Sequence, residues 1–193
     1  DNQVQNPVAL FPVDNNGELI QLPSVPSNGS PSVSGSMIFG LGTESNNSLT
    51  SQTVLDVDGY GTFETEFDGQ TYSSSSCTGC GSVLDTGSNA IFFLDSKTLS
   101  MPACPGQASA FYCPAAQPPP YDVTNVAGDG TTSVTGSFSV ANAQTLFDSG
   151  NGAFNNLAGP NANSFDFGLP FFYGRTIAIG LTGGDNGGPF FAY

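Results

Sequence analysis

The apolar stretches of this chain are short and bounded by turn residues, and this pattern constrains its fold more than any other feature. The 193 residues include 25 Gly and 14 Pro, and no amphipathic run with capping residues reaches the length of a helix. Short apolar runs between clusters of Gly, Pro, Asn and Ser are typical of β-strands. The sequence therefore predicts an all-β chain. The predicted strands cover residues 8–13, 36–41, 53–57, 62–67, 82–84, 90–94, 132–140 and 176–179.

The segments between these runs predict loops, one helix and a terminal strand. Residues 23–34 are predicted to form a loop, as are residues 115–121, which contain three consecutive prolines. Residues 141–147 predict one short helix, and the apolar run at 190–193 predicts a strand that pairs with a sheet edge. Nothing marks a domain boundary, and a chain of this length can bury a core. We therefore expect a single domain over residues 1–193.

The charge composition excludes several kinds of chemistry and partner. The chain has 16 Asp and Glu, no His and two basic residues, Lys97 and Arg175, for a formal net charge of -14. Without His, Ser-His-Asp and Cys-His catalytic arrangements are excluded within the chain, so acid–base chemistry falls to carboxylates. The negative charge repels phosphate backbones and anionic lipid, so neither nucleic acid nor a membrane is an expected partner. Arg175 is expected to pair with a carboxylate such as Asp166.

Four cysteines indicate two disulfides in an oxidising compartment. Four Cys allow three pairings, and proximity in the sequence favours Cys77–Cys80 and Cys104–Cys113. The alternative for the first pair is half of a zinc site or a redox motif, but no second CxxC follows and no basic residue lies nearby to lower a thiol pKa. No apolar run is long enough to span a bilayer. These features predict a secreted or periplasmic protein without a metal or cofactor.

The segment at 81–93 carries the candidate chemistry. An apolar strand delivers Asp85 to a sharp turn, and a second apolar strand leaves it. Gly87 has no Cβ, so backbone N–H groups can approach the Asp85 carboxylate, while Thr86 and Ser88 add hydroxyls, one to brace the turn and one to bond the carboxylate. The structural alternative is an Asx-type hairpin turn. The apolar flanks favour a catalytic turn, because a carboxylate among apolar strands is costly unless its oxygens are satisfied.

A second acidic turn, at 56–61, is a weaker candidate for a calcium loop. Counted from Asp56, the fifth and twelfth positions are Tyr60 and Phe67, where a calcium loop requires oxygen ligands. We interpret this segment as a turn between strands.

The surroundings of the turn at 85–88 resemble the C-terminal lobe of pepsin-like aspartic peptidases. In those lobes a closely spaced Cys pair precedes an apolar-apolar-Asp-Thr-Gly-Ser/Thr segment, as the pair at 77 and 80 does here. Residues 36–42 resemble a strand near the start of that lobe. Residues 167–172 resemble the apolar-Gly segment and following Phe that pass beside the catalytic turn. Two positions differ, because pepsins have an apolar residue where Asp166 stands and often an Asp where Leu169 stands.

A narrower resemblance is to the second half of a bacterial family of uncharacterised secreted proteins, whose N-terminal half carries another Asp-Thr-Gly-Ser segment. The similar segments here are 6–11, 14–17, 39–43, 85–89 and 168–175. This second resemblance supports the fold more than the function.

The pepsin-like resemblance implies one lobe of a double-lobed barrel and half of a secreted aspartic endopeptidase that acts on protein or peptide substrates. Such chemistry needs two carboxylates that share one proton, and this chain has one such turn. The second Asp is expected from another chain, namely the N-terminal lobe of the same precursor or, as second choice, an identical copy. Alone, the chain is expected to be inactive. The implied catalytic residues are Asp85, Thr86, Gly87 and Ser88, and the substrate-binding candidates are Asn89, Phe171 and Phe172.

Three alternatives stay open at this point. Core packing is the alternative role for Phe171 and Phe172. A secreted binding or structural protein that keeps the lobe without catalysis is the rival to the peptidase. An unrelated all-β carboxyl peptidase that uses Glu is a further one.

Overall fold

The computed structural model describes residues 5–77, 79–184 and 187–193. Within them the chain is mostly β-sheet, which confirms the all-β prediction. The strands are β1 (Gly17–Gln21), β2 (Ser36–Phe39), β3 (Val54–Asp56), β4 (Glu64–Phe67), β5 (Gln70–Tyr72), β6 (Val83–Leu84), β7 (Ile91–Leu94), β8 (Tyr121–Val126), β9 (Ser133–Phe138), β10 (Ala158–Gly159), β11 (Asn161–Phe167), β12 (Thr176–Gly180) and β13 (Phe190–Ala192). The helices are α1 (Ala143–Asp148), α2 (Leu169–Phe172) and two 3₁₀ helices, Pro7–Leu10 and Gly106–Ala108.

The strands form three sheets. One is five-stranded and antiparallel, in the order β2-β1-β12-β13-β3. A second, in the order β5-β4-β8-β9, consists of antiparallel pairs. The third has the order β10-β7-β11-β6.

The third sheet contains an inserted strand that positions the candidate site. β6 and β7 follow one another in the chain, yet β11 lies between them, parallel to β6 and antiparallel to β7. The connection from β6 to β7 therefore passes across the end of β11. This connection contains the Asp-Thr-Gly-Ser segment at 85–88.

The main core lies where the three sheets meet. One buried cluster contains Ile20 of β1, Leu84 of β6, Phe93 of β7, Val123 of β8 and Phe165 of β11. Each buried side chain of this size contributes about 1.5–3 kcal/mol relative to its exposed state. Aromatic rings dominate the cluster, and the fully buried Phe93 ring lies within 6.5 Å of five other rings. The sheets thus pack against one another through a core that includes residues of both strands flanking the β6–β7 connection.

Both predicted disulfides are confirmed. Cys77 bonds to Cys80 and Cys104 bonds to Cys113, with Cα–Cα separations of 5.3 and 4.8 Å. Two disulfides are compatible with an extracytoplasmic protein. Among the described residues, no helix is long and apolar enough to cross a membrane.

Most predicted strands are confirmed within a few residues at their ends, but the strand at 8–13 is wrong. The chain there forms the 3₁₀ helix Pro7–Leu10, because the Asn6 side chain accepts a hydrogen bond from the Val8 amide at 3.0 Å and a proline occupies the first helical position. The first strand of the fold is β1, which the sequence did not predict.

Two other predictions concern the ends of elements. The predicted helix at 141–147 is α1, which begins after Asn142, whose side chain accepts from the Thr145 amide at 3.2 Å. The terminal strand exists as β13, but it pairs on both sides, with β12 and β3, rather than adding to a sheet edge.

Candidate functional site

The Asp85 turn begins where β6 ends and is fixed by backbone hydrogen bonds on two sides. The Asp85 amide donates to the Phe167 carbonyl of β11 at 3.1 Å, which continues the parallel pairing of β6 with β11. The Ser88 amide donates to the Asp85 carbonyl at 3.3 Å and closes the turn. On the far side, the Leu169 amide donates to the Ser88 carbonyl at 2.8 Å. The turn is therefore held against the end of β11.

The carboxylate of Asp85 is oriented by the two residues predicted to do so. The Gly87 amide donates to Oδ1 at 2.7 Å and the Ser88 hydroxyl lies 3.0 Å from Oδ2. A Cβ on Gly87 would stand 3.0 Å from Oδ1, so a larger residue would press on the carboxylate it now supports. Thr86, Gly87 and Asn89 are exposed. The carboxylate thus lies on a turn whose tip is open to solvent.

A second carboxyl group reaches the same serine from β11. Asp166 pairs with Val83 across β6 and with Phe92 across β7, and its Oδ2 lies 2.7 Å from the Ser88 Oγ. Its Oδ1 is buried without a hydrogen-bond partner. Burial raises the pKa of Asp166, the Ser88 hydrogen bond lowers it, and the charge of Asp85 raises it further, so that the pKa lies above its ordinary value. The site therefore contains two carboxyl groups and one hydroxyl between them.

Gly168 lets the inserted strand pass this close to the turn. A Cβ at this position would stand 2.6 Å from the Ser88 carbonyl oxygen and would also overlap the Ala90 carbonyl oxygen. Contacts this short do not occur between real atoms of these types. Only a glycine fits between β11 and the Asp85 turn at this point.

A family profile matches residues 1–193, and the family is described as "Protein of unknown function (DUF3443)". The chain belongs to this family. A comparison with curated proteins finds no match. The description of DUF3443 names no activity, so the residues of the site are what indicate a function.

Phe171 and Phe172 directly follow the segment that contacts the Asp85 turn in this DUF3443 chain. Both have 0 % of their surface exposed and belong to the main core, which favours the core-packing alternative over contact with a substrate. Both residues are in α2, the short helix that follows Gly168. They anchor the segment that follows β11 and passes beside the Asp85 turn.

Arg175 does not pair with Asp166, which corrects the expectation for this residue. Its guanidinium donates to the carbonyls of Phe171 at 2.6 Å and Ser137 at 3.0 Å, and its central carbon lies 4.1 Å from the centre of the Phe171 ring. Burial lowers its pKa. The planar guanidinium can stack on an aromatic ring while its N–H groups donate to backbone carbonyls. In Arg175 these contacts take the place of the expected ion pair with a carboxylate.

The acidic turn at 56–61 is built around its own backbone. Oδ1 of Asp58 accepts from the Tyr60 amide at 2.9 Å and from the Thr62 amide at 3.0 Å, and Oδ2 accepts from the hydroxyls of Thr62 and Ser74. These bonds brace a turn between strands, as predicted. Within the described ranges, no group of three or more Asp, Glu, Cys or His could hold a metal ion.

The sequence identified Asp85 and its supporting residues but not the role of Asp166. The available signal was its position directly before the Phe-Gly pair at 167–168, the segment that resembles the one passing beside a catalytic turn. A residue that precedes this pair on β11 must lie close to the turn. The polar residue at an otherwise apolar position was therefore the sign of a contact with Ser88.

Proposed function

We propose that this chain is one half of a secreted aspartic endopeptidase in which Asp85 is one of two carboxylates that activate water. The observation that carries the proposal is the support of the Asp85 carboxylate. Both of its oxygens accept hydrogen bonds, from the Gly87 amide at 2.7 Å and the Ser88 hydroxyl at 3.0 Å, on a turn whose tip is exposed. A carboxylate fixed in this way is oriented before a substrate arrives.

The strand order around the turn supports a pepsin-like lobe. The resemblance implies that the Phe-Gly segment passes beside the catalytic turn, and residues 167–169 bond to Asp85 and Ser88 at 3.1 and 2.8 Å. The absence of His from the sequence adds weight, because carboxylates are then the groups left for acid–base chemistry.

The proposed reaction uses two carboxyl groups that hold one proton between them. The ionised carboxylate takes a proton from water, and the water oxygen bonds to the carbonyl carbon of the peptide. The protonated carboxyl gives its proton to the carbonyl oxygen. The C–N bond then breaks, its electron pair passes to nitrogen, and the nitrogen takes up the proton held by the first carboxyl. One hydroxyl of the intermediate returns its proton to the second carboxylate as the C=O bond of the product acid forms, which restores the pair with one proton. The two carboxylates of the proposed dyad lie close enough to share a proton, so they cannot both ionise freely. Hydrolysis should therefore be fastest below neutral pH, where the pair holds that proton.

The second carboxylate of this dyad comes, in our proposal, from another chain. The Asp-Thr-Gly segment occurs once in the sequence. The proposed partner is the N-terminal lobe of the same precursor, with an identical copy as second choice. The open tip of the turn, at Thr86, Gly87 and Asn89, is the surface such a partner would cover.

Asp85→Asn tests the proposal. The assembled protein should hydrolyse a denatured protein at acid pH, and the substitution should lower the rate by about 10²–10⁴-fold, because the amide cannot accept the proton of water. The fold should survive, because the amide is nearly isosteric and its oxygen still accepts the Gly87 hydrogen bond. Asp122→Asn is the matched control, since it removes one charge from an exposed residue of β8.

The outcomes of this experiment distinguish the proposed peptidase from its alternatives. Equal rates for the wild type and Asp85→Asn would remove Asp85 from the mechanism. No hydrolysis by either would favour the rival, a secreted binding or structural protein. Hydrolysis by a chain that light scattering shows to be a monomer would contradict the requirement for a partner.

A further inference from the structure

One hydroxyl group lies between the carboxyl groups of Asp85 and Asp166. The Ser88 Oγ is 3.0 Å from Oδ2 of Asp85 and 2.7 Å from Oδ2 of Asp166. Both are hydrogen-bond distances. A serine hydroxyl carries one hydrogen, so it can donate to only one of the two oxygens. The hydrogen of the other contact must belong to a carboxyl group.

The surroundings of the two groups decide which carboxyl carries that proton. Asp85 accepts a second hydrogen bond, from the Gly87 amide to its Oδ1. The Oδ1 of Asp166 is buried and has no hydrogen-bond partner. An ionised carboxylate with a buried, unpaired oxygen is costly, whereas the carbonyl oxygen of a neutral carboxyl group is much less so. The proton therefore belongs on Asp166.

We propose that Asp166 is a positioning residue that is protonated at acid pH and donates its hydrogen to the Ser88 Oγ, so that Ser88 donates its own hydrogen to the ionised Asp85. The hydrogen bonds then run in one direction, from Asp166 through Ser88 to Asp85. The catalytic meaning of this arrangement rests on the proposed function, but the protonation of Asp166 does not.

This arrangement of hydrogen bonds is lost when Asp166 loses its proton. Among the residues that the structure describes, Asp85 is the titratable group that acts on Asp166, and the residues paired with it, Val83 on β6 and Phe92 on β7, carry no charge. An ionised Asp166 would compete for the single hydrogen of Ser88, and Asp85 would then lose that hydrogen bond. Support of Asp85 is thus tied to pH within one chain, independently of the partner that supplies the second catalytic Asp.

The protonation is tested by following the Asp166 carboxyl carbon by NMR as a function of pH in the wild-type protein. Burial and the charge of Asp85 raise the pKa of Asp166, so its resonance should titrate above the ordinary aspartate value of about 3.9. Asp85→Asn should move this titration to lower pH because it removes the facing charge, whereas Asp122→Asn should leave it in place. Titration of Asp166 at the ordinary aspartate value in the wild type would overturn the proposal.

The positioning role is tested by Asp166→Asn and Asp166→Leu. The amide N–H of the first variant still donates to the Ser88 Oγ but does not titrate, so hydrolysis should persist to higher pH than in the wild type. The second variant has no donor and should be slower at every pH. A uniform loss in both variants, with an unchanged pH profile, would indicate a merely structural role. If no hydrolysis is found in any protein, the proposed function fails, while the NMR result still decides the protonation.

Discussion

The turns that contain Asp58 and Asp85 have the same local hydrogen bonds but different surroundings. In each, Oδ1 of the aspartate accepts from the amide two residues later, at Tyr60 or Gly87, and Oδ2 accepts from a serine hydroxyl. Both turns connect strands, and both have glycine within two residues of the aspartate. The hydrogen bonds that these two turns share do not by themselves distinguish their roles.

The two turns differ in the further hydrogen bonds that their carboxylates accept. Asp58 accepts two further hydrogen bonds, from the Thr62 amide and hydroxyl at 3.0 and 2.8 Å. Burial acts against these bonds, but bonds from Ser74, Thr62 and Tyr60 together hold its pKa below the ordinary value. At the other turn, Ser88 is shared with a second carboxyl group, and Asp85 receives no such additional donors among the described residues.

The two carboxylates therefore differ in how much of their hydrogen-bonding capacity is already used. A carboxylate whose lone pairs are all occupied by donors stabilises a turn and has little left to offer a substrate. One with two oriented bonds and a competing neighbour keeps the capacity to accept a proton. Matched substitutions in the two turns test this difference.

The largest difference is expected between two serine substitutions. Ser88→Ala removes one of the two hydrogen bonds that orient Asp85 and should lower the rate of peptide hydrolysis by about tenfold to a hundredfold, equivalent to about 1–3 kcal/mol for a bond to a charged group. Ser74→Ala should leave the rate unchanged and lower the free energy of unfolding by at most about 1 kcal/mol, because Asp58 keeps its other donors. Similar effects on rate would show that the two turns are not functionally distinct.

A smaller difference is expected in how stability depends on pH. The pKa of Asp58 is lowered by its hydrogen bonds, so its contribution to stability is present above the ordinary aspartate pKa and is lost as pH falls through the lowered one. The pKa of Asp166 is raised, mainly by burial. The wild type should therefore lose stability relative to Asp166→Asn as pH rises from the ordinary value through the raised one.

Urea denaturation over a range of pH measures both effects. The advantage of the wild type over Asp58→Asn should shrink on acidification, whereas the advantage of Asp166→Asn over the wild type should grow as pH increases. Asp122→Asn serves as the control for the change in net charge. Parallel curves for Asp58→Asn and Asp166→Asn would mean that the two carboxyls have equivalent environments.

The smallest expected difference concerns two glycines. A Cβ on Gly87 would stand 3.0 Å from the Asp85 Oδ1, whereas a Cβ on Gly59 meets no atom within 4 Å. Gly87→Ala should shift the carboxylate and lower the rate several-fold with little change in stability. Gly59→Ala should leave the rate unchanged and alter stability by about 0.4–1 kcal/mol through the unfolded chain. An unaffected rate in Gly87→Ala would show that the turn can accommodate the methyl group.

The Asp85 turn could be predicted from the sequence because its hydrogen bonds are local. Gly87 and Ser88 lie within three residues of the carboxylate they support, and their residue types limit what they can donate. The cysteine pairs follow the same logic, with separations of 3 and 9 residues. Short-range chemistry leaves few alternatives for the chain.

The contacts that the sequence did not predict depend on distant residues. Asp166 is 78 residues from Ser88, and its position follows from the register of β11 against β6, which local pattern does not specify. The strand β8 was missed because its inward positions include a polar residue. Asn125 is buried there and bonds to Thr65 at 2.8 Å and to Tyr193 at 2.8 Å, partners 60 and 68 residues away. A buried amide of this kind looks like a loop residue until its partners are known.

The insertion of β11 between β6 and β7 also bears on when the site can form during folding. As the chain emerges from the ribosome, the Asp85 segment appears long before the residues that hold it, because Phe167, Gly168 and Leu169 follow some 80 positions later. Closing so long a loop is entropically costly and slow compared with local structure. A nascent or truncated chain that ends before β11 would thus have the Asp-Thr-Gly-Ser segment without the backbone hydrogen bonds to Phe167 and Leu169 that hold it in place. Such a delay would keep the Asp85 turn incomplete until most of the chain has been synthesised.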